Sequence, residues 1–154
     1  MDDAEATALF AEGVAHWNAE RFWDAHEFWE RLWLTLEGDT KRWLQGLIQY
    51  AAAFHHFQRG HVAGAFSRLL VAAEEKTAGY AGPTWSLDWP TLEAALQPWR
   101  VYGVEVGEGA AFPVSPAPFP RASRSPGCSV SDTPARRGQI RPSRRGRAPI
   151  ASSR

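Results

Sequence analysis

Phe22-Trp23-Asp24-Ala25-His26-Glu27-Phe28-Trp29-Glu30-Arg31-Leu32-Trp33 is the stretch on which the reading of this chain turns. Its apolar residues return at spacings of three and four, the period of a helix, yet two glutamates and a histidine are interleaved with them. With His26 set at 0° on a helical wheel, Phe22 and Trp33 fall within about 40° of it, Trp29 near −60° and Glu30 near +40°. Trp23 and Leu34 follow at about +60° and +80°, Glu27 at about +100°, and Asp24, Arg31 and Thr35 lie opposite. This reading puts Glu30 inside the apolar arc and Glu27 at its edge. A carboxylate buried alone is costly, so such a position calls for hydrogen bonds, a counter-charge or a metal.

The next helical pattern, residues 41–59, supplies matching polar groups. Trp43, Leu47, Tyr50, Phe54 and Phe57 occupy one side, and Leu44, Ile48, Ala51 and His55 another. A helix apolar over most of its circumference is buried, so this one is expected at the centre of the fold. Gln45, Gln49, Ala52 and His56 share the remaining stripe. Facing Glu27, Glu30 and His26 across a helix pair, they would enclose a polar pocket walled by Trp23, Trp29 and Trp33. Gly46 and Ala51, Ala52 and Ala53 are small enough for neighbouring helices to approach closely.

Around this pair the sequence predicts three further helices. Residues 4–17 carry a stripe of Leu9, Phe10, Val14 and Trp17. Residues 61–78 carry Ala65, Phe66, Leu69, Leu70 and Ala73, after Gly60 as a C-terminal cap. A short fifth helix starts at Asp88-Trp89-Pro90 and ends near Leu96, ahead of Pro98. No strand pattern or internal repeat is present. The predicted fold is all-α, a compact bundle of about five helices over residues 1–111, followed by a tail.

The zero formal charge conceals two unlike parts. Residues 1–111 hold 16 Asp and Glu against 8 Lys and Arg, together with all eight Trp and all five His. Residues 112–154 hold one acid, Asp132, against nine Arg, with 8 Pro and 8 Ser among 43 residues. Such a composition buries too little to offset its ordering entropy, which predicts a disordered Arg/Pro/Ser-rich tail. Clustered arginine neutralises phosphates, but no aromatic stacking set or RNA motif accompanies it, so nucleic-acid binding is not expected. The single Cys128 excludes an intrachain disulfide. An acidic N-terminus and the lack of any apolar run near ~18 residues argue against a signal peptide or membrane span and favour the cytoplasm.

Trp17-Asn18, Arg21-Phe22-Trp23-Asp24-Ala25-His26-Glu27, Glu30, Trp33, then Leu44-Gln45-Gly46-Leu47-Ile48-Gln49, Ala52, His55-His56, Gly60 and Gly64-Ala65 resemble the small bacterial and archaeal family catalogued as domain of unknown function 309. The resemblance covers about residues 8–98. It implies an all-helical fold and carries no established activity, cofactor or partner; members usually stop near the end of the helical part.

Three chemistries fit the Glu/His/Gln cluster. As a small-molecule pocket, Gln45, Gln49 and His56 orient a polar ligand between Trp23, Trp29 and Trp33. A desolvated Glu30, with Glu27 or His26, would then suit general acid–base work. As a metal site, His26 and Glu30 at i, i+4 share an ion with His56 or Glu27. The His-Glu-x-x-Glu spacing matches neither the zinc-protease nor the di-iron pattern. As a packing network in a structural or protein-interaction module, the amides and His56 hydrogen-bond the two glutamates and fix helix register. No pattern names a cofactor, an oligomeric state or a reaction, and Ser67 has no His/Asp companions for nucleophilic catalysis.

Overall fold

The computed structural model describes residues 1–109, 116 and 118–125, apart from the side chains of Val62 and Ala63. Five α-helices follow one another: α1 Asp3–Asn18, α2 Phe22–Trp33, α3 Gly38–Gln58, α4 Ser67–Thr77 and α5 Trp89–Gly107. Among the described residues there is no strand, and the all-α expectation holds. No helix among them is long and apolar enough to cross a membrane.

The helix ends follow from local chemistry. Asp2 caps α1 by accepting the Glu5 amide at 2.8 Å, and Asp88 caps α5 by accepting both the amide and the hydroxyl of Thr91, satisfying donors that no helical carbonyl can reach. α3 ends at Gly60, whose φ is +81°. There the His61 amide reaches back to His56 and the Gly60 amide to Phe57, the paired bonds of a left-handed helix stop. α1 ends on the same bond pattern, Arg21 to His16 and Glu20 to Trp17, but the left-handed residue is Glu20, at φ +60°.

Two elements differ from the periodicity. The helix expected over 61–78 begins as a π-helical stretch, Val62–Phe66, before α4 proper. Gly64 lies inside that stretch at φ +75°, a conformation no α-helix contains, so the regular ladder starts only after it. Conversely, α5 runs through Pro98 to Gly107 instead of stopping near Leu96. A mid-helix proline costs about 3 kcal/mol. Beyond it, Trp99, Arg100, Tyr102 and Gly103 are all buried, and this packing offsets the missing hydrogen bond.

α3 is the central element, with Trp43, Leu44, Leu47, Tyr50, Ala51, Ala53 and Phe54 fully buried. It packs on α2 along one side and α4 along the other. Gly46 lets α4 in: a Cβ there would collide with the Thr77 methyl and lie 3.1 Å from the Ala73 carbonyl oxygen. Gly13 does the same for α1 and α2, since a Cβ would strike the Trp29 indole. Around α3 runs a continuous aromatic core. Phe10 stacks on Trp29, Trp43 and Trp85 with ring centroids 5.6, 6.2 and 5.0 Å apart. Phe54 meets Trp17, Phe22 and Trp99 at 5.5, 5.3 and 5.1 Å.

A compact unit extends from Met1 to Ser123, because part of the segment that composition assigns to the tail completes the core. Phe119 enters the ring cluster of Phe22, Phe54, Phe57 and Trp99, and Pro120 and Ala122 are buried. One aromatic anchor outweighs the polar average of its surroundings. The remainder of the tail expectation, residues 112–115, 117 and 126–154, lies outside the described residues.

Two substitutions should move stability in opposite directions. Glu20→Gly relieves a left-handed non-glycine residue and should stabilise by about 0.5–1 kcal/mol. Gly13→Ala forces the Trp29 indole aside and should cost about 1–3 kcal/mol. Urea denaturation of both variants checks the signs.

Candidate functional site

α2 and α3 run antiparallel, with Phe22 against Phe54 at one end and the Lys41 ammonium 4.4 Å from the Trp33 ring at the other. The buried positions of α2 are Phe22, Ala25, Trp29 and Leu32, which centre its inner face roughly 80° from His26, away from the glutamates. The Glu30 side chain is therefore 52% exposed, and Glu27 is exposed as well. The expectation of a desolvated Glu30 is corrected. It counted Trp23 and Trp33 as core residues, whereas both are amphipathic side chains at the edge of the arc, and that drew the apparent centre toward His26.

Trp29 is likewise no pocket wall. It is buried in the core and donates from Nε1 to the Phe10 carbonyl at 3.1 Å. Trp23, 44% exposed, lies flat on His26 with centroids 4.5 Å apart and donates from Nε1 to Glu27 Oε2 at 3.1 Å. His26 Nε2 is 3.5 Å from Glu30 Oε1, its ring 18% exposed. On a surface, such a pair contributes at most about 1 kcal/mol.

The α3 stripe is where periodicity placed it. Gln45, Gln49, Ala52 and His56 are all half-buried, on a helix otherwise deep in the core. Four side-chain atoms on the candidate residues of α2 and α3 are enclosed yet have no hydrogen-bond partner among the described residues: His26 Nδ1, Trp33 Nε1, Gln49 Oε1 and His56 Nδ1. Two others, Trp43 Nε1 and Arg100 Nη2, lie elsewhere. An enclosed polar atom without a partner costs about 1–3 kcal/mol, so these four atoms are the site's main physical feature.

The upper end of the seam carries a run of rings. Trp23 meets His55 at 5.1 Å, His55 meets His56 at 5.9 Å and His56 meets His61 at 6.0 Å. Desolvation holds the His55 imidazole below its ordinary pKa, and the positive potential of Arg59, His56, His26 and His61 adds to the effect. His26 and Glu30 come together as the metal reading requires, but no group of three or more His, Cys, Asp or Glu among the described residues is placed to hold an ion.

Two surface clefts lie off the seam. One of about 530 Å³ is bordered by Asp39, Thr40, Arg42, Lys76 and Tyr80, and one of about 420 Å³ lies between α1 and α2, bordered by Glu5, Leu9, Glu12, Phe28 and Arg31.

Sequence reasoning passed over Arg100. Its side chain is 8% exposed, and it donates from Nε to the Tyr50 hydroxyl at 2.7 Å and from Nη1 to Gln97 Oε1 at 3.3 Å. Burial pushes the Tyr50 hydroxyl up, and Arg100 partly pulls it back. The i, i+3 spacing of Gln97 and Arg100 was the available signal, obscured by ending α5 at Pro98.

The model of the domain of unknown function DUF309 matches residues 10–67. The chain belongs to the DUF309 family. That match takes in all of α2 and α3, and hence every seam residue of this DUF309 chain. Among solved structures it is similar to a conserved hypothetical protein from Thermus thermophilus, at 36% identity and a TM-score of 0.48, over 53% of this chain and 84% of that one. No curated protein matches the chain.

Glu30→Lys should change stability by less than about 0.5 kcal/mol, as expected of an exposed position; chemical denaturation measures it. His55 gives the pH dependence. Its folded pKa lies below the unfolded value of about 6.5, so on acidification the unfolded chain takes the proton first. The stabilising contribution is complete above the unfolded value and is lost as pH falls through the folded one. The thermal midpoint should drop as pH falls below about 6.5, and His55→Gln should flatten that slope.

Proposed function

We propose that the α2–α3 seam binds a small polar organic molecule, recognised by hydrogen bonds and flanked by Trp23 and Trp33. What supports this reading is the set of enclosed, unpartnered atoms on His26, Trp33, Gln49 and His56. Trp33 Nε1 can only donate, Gln49 Oε1 can only accept, and each neutral imidazole nitrogen does either according to tautomer. A ligand presenting both donors and acceptors, such as an amide, a carboxylate or a hydroxylated compound, matches that set. The exposure of Glu27 and Glu30 argues for recognition over acid–base catalysis, because neither carboxylate is desolvated.

Functional polar groups are often held against stability. Gln49→Met keeps the volume and removes an unpartnered oxygen, so it should be neutral or stabilising by up to about 1 kcal/mol while abolishing binding. Native mass spectrometry of untagged protein, with a thermal-shift screen of amides, carboxylates and polyols, checks this. The expected result is a retained or stabilising small molecule whose effect disappears in Gln49→Met and His26→Phe. A bare protein mass together with no shift from any compound would contradict the reading.

A further inference from the structure

Residues 118–123 are held in a manner suited to an extended peptide ligand. Trp17 Nε1 donates to the Pro120 carbonyl at 2.7 Å. The Asn18 amide clasps Ala122 from both sides: Nδ2 donates to its carbonyl and Oδ1 accepts its N–H, each at 2.8 Å. The Asp88 amide donates to the Ser123 carbonyl at 2.8 Å. All four contacts read main chain, so they fix direction and register without selecting side chains.

Selection comes from three positions. The Phe119 ring stacks on Trp99 at 5.2 Å, 9° from parallel, and meets Phe22, Phe54 and Phe57 edge-on at 5.1, 5.4 and 5.9 Å. Pro120 is buried next to it. Its fixed φ suits an extended backbone, and at a position read only through its carbonyl the missing N–H costs nothing. Arg121 is exposed and donates to the Asn18 carbonyl at 3.3 Å, and the small side chain of Ala122 is buried. The pattern recognised is Phe-Pro-x-small.

We infer that this slot, formed by Trp17, Asn18, Phe22, Phe54, Phe57 and Trp99, is a peptide-docking site, and that its partner is an extended protein segment bearing Phe-Pro-x-small. The chain's own residues 118–123 occupy it as an internal competitor. An intramolecular ligand acts at an effective concentration of about 1 mM. A partner therefore gains access only by out-competing it or when the internal segment is weakened.

The probe is a fluorescent synthetic peptide of residues 116–125, read by anisotropy against the full chain and its Phe119→Ala variant. The variant should capture the peptide about 10–100-fold more tightly than the unaltered chain, the ratio expected from removing an internal competitor at that concentration. Capture should be lost when the peptide carries alanine in place of its phenylalanine, and when Asn18→Ala is combined with Phe119→Ala. Circular dichroism reports whether each variant keeps its helices. If Phe119→Ala does not, Phe119→Leu, which retains an apolar anchor, should give weaker but measurable capture. No capture by either folded variant would overturn the proposal, as would capture that is equal in the unaltered chain and indifferent to Asn18→Ala. An unaltered chain that is dimeric and becomes monomeric in Phe119→Ala would also overturn it, by assigning the slot to the segment of a second copy.

Discussion

The ring of Phe54 is the contact on which the rest of this architecture depends. It touches Trp17 from α1, Phe22 from α2, Trp99 from α5 and Phe119 from the C-terminal segment. An aromatic pair contributes about 0.5–1.5 kcal/mol beyond its buried area. Four pairs sharing one ring couple elements far apart in sequence. With α3 fixed at the centre by that ring, α4 is admitted by Gly46, and α5 is kept helical past Pro98 by the burial of Trp99.

The same arrangement explains why the candidate seam lies where it does. α3 turns its apolar circumference toward the aromatic core and α4, leaving Gln45, Gln49 and His56 as a half-buried polar stripe. α2 contributes His26 and the edge indoles Trp23 and Trp33, because its buried positions, Phe22, Ala25, Trp29 and Leu32, are already committed to the core. The seam is therefore a boundary between core and surface, where polar atoms can be enclosed without a charged group being desolvated.

Much of this was legible in the residues. The period-3.6 patterns of α1, α2 and α3, the Gly60 stop, the Asp88 cap and the half-buried stripe on α3 follow from spacing and local chemistry. What was not legible followed from long-range packing. The orientation of α2 hung on whether Trp23 and Trp33 count as core, a question of about 60–80° of helix rotation that periodicity alone does not decide. The extent of α5 depended on Trp99 meeting Phe54, and the order of residues 118–123 on Phe119 meeting the same ring. Composition averages over a window and so misses one well-placed aromatic, and Asn18 gave no local sign that its amide would clasp a chain 104 residues away.

The central claim is that the aromatic core is completed by residues 118–123. Native-state hydrogen exchange at the Ala122 amide tests it most directly, because that N–H is donated to Asn18 Oδ1 and belongs to no helix. The account predicts protection corresponding to an opening free energy on the order of 3 kcal/mol or more. Exchange of that amide at the rate of a free peptide would contradict it.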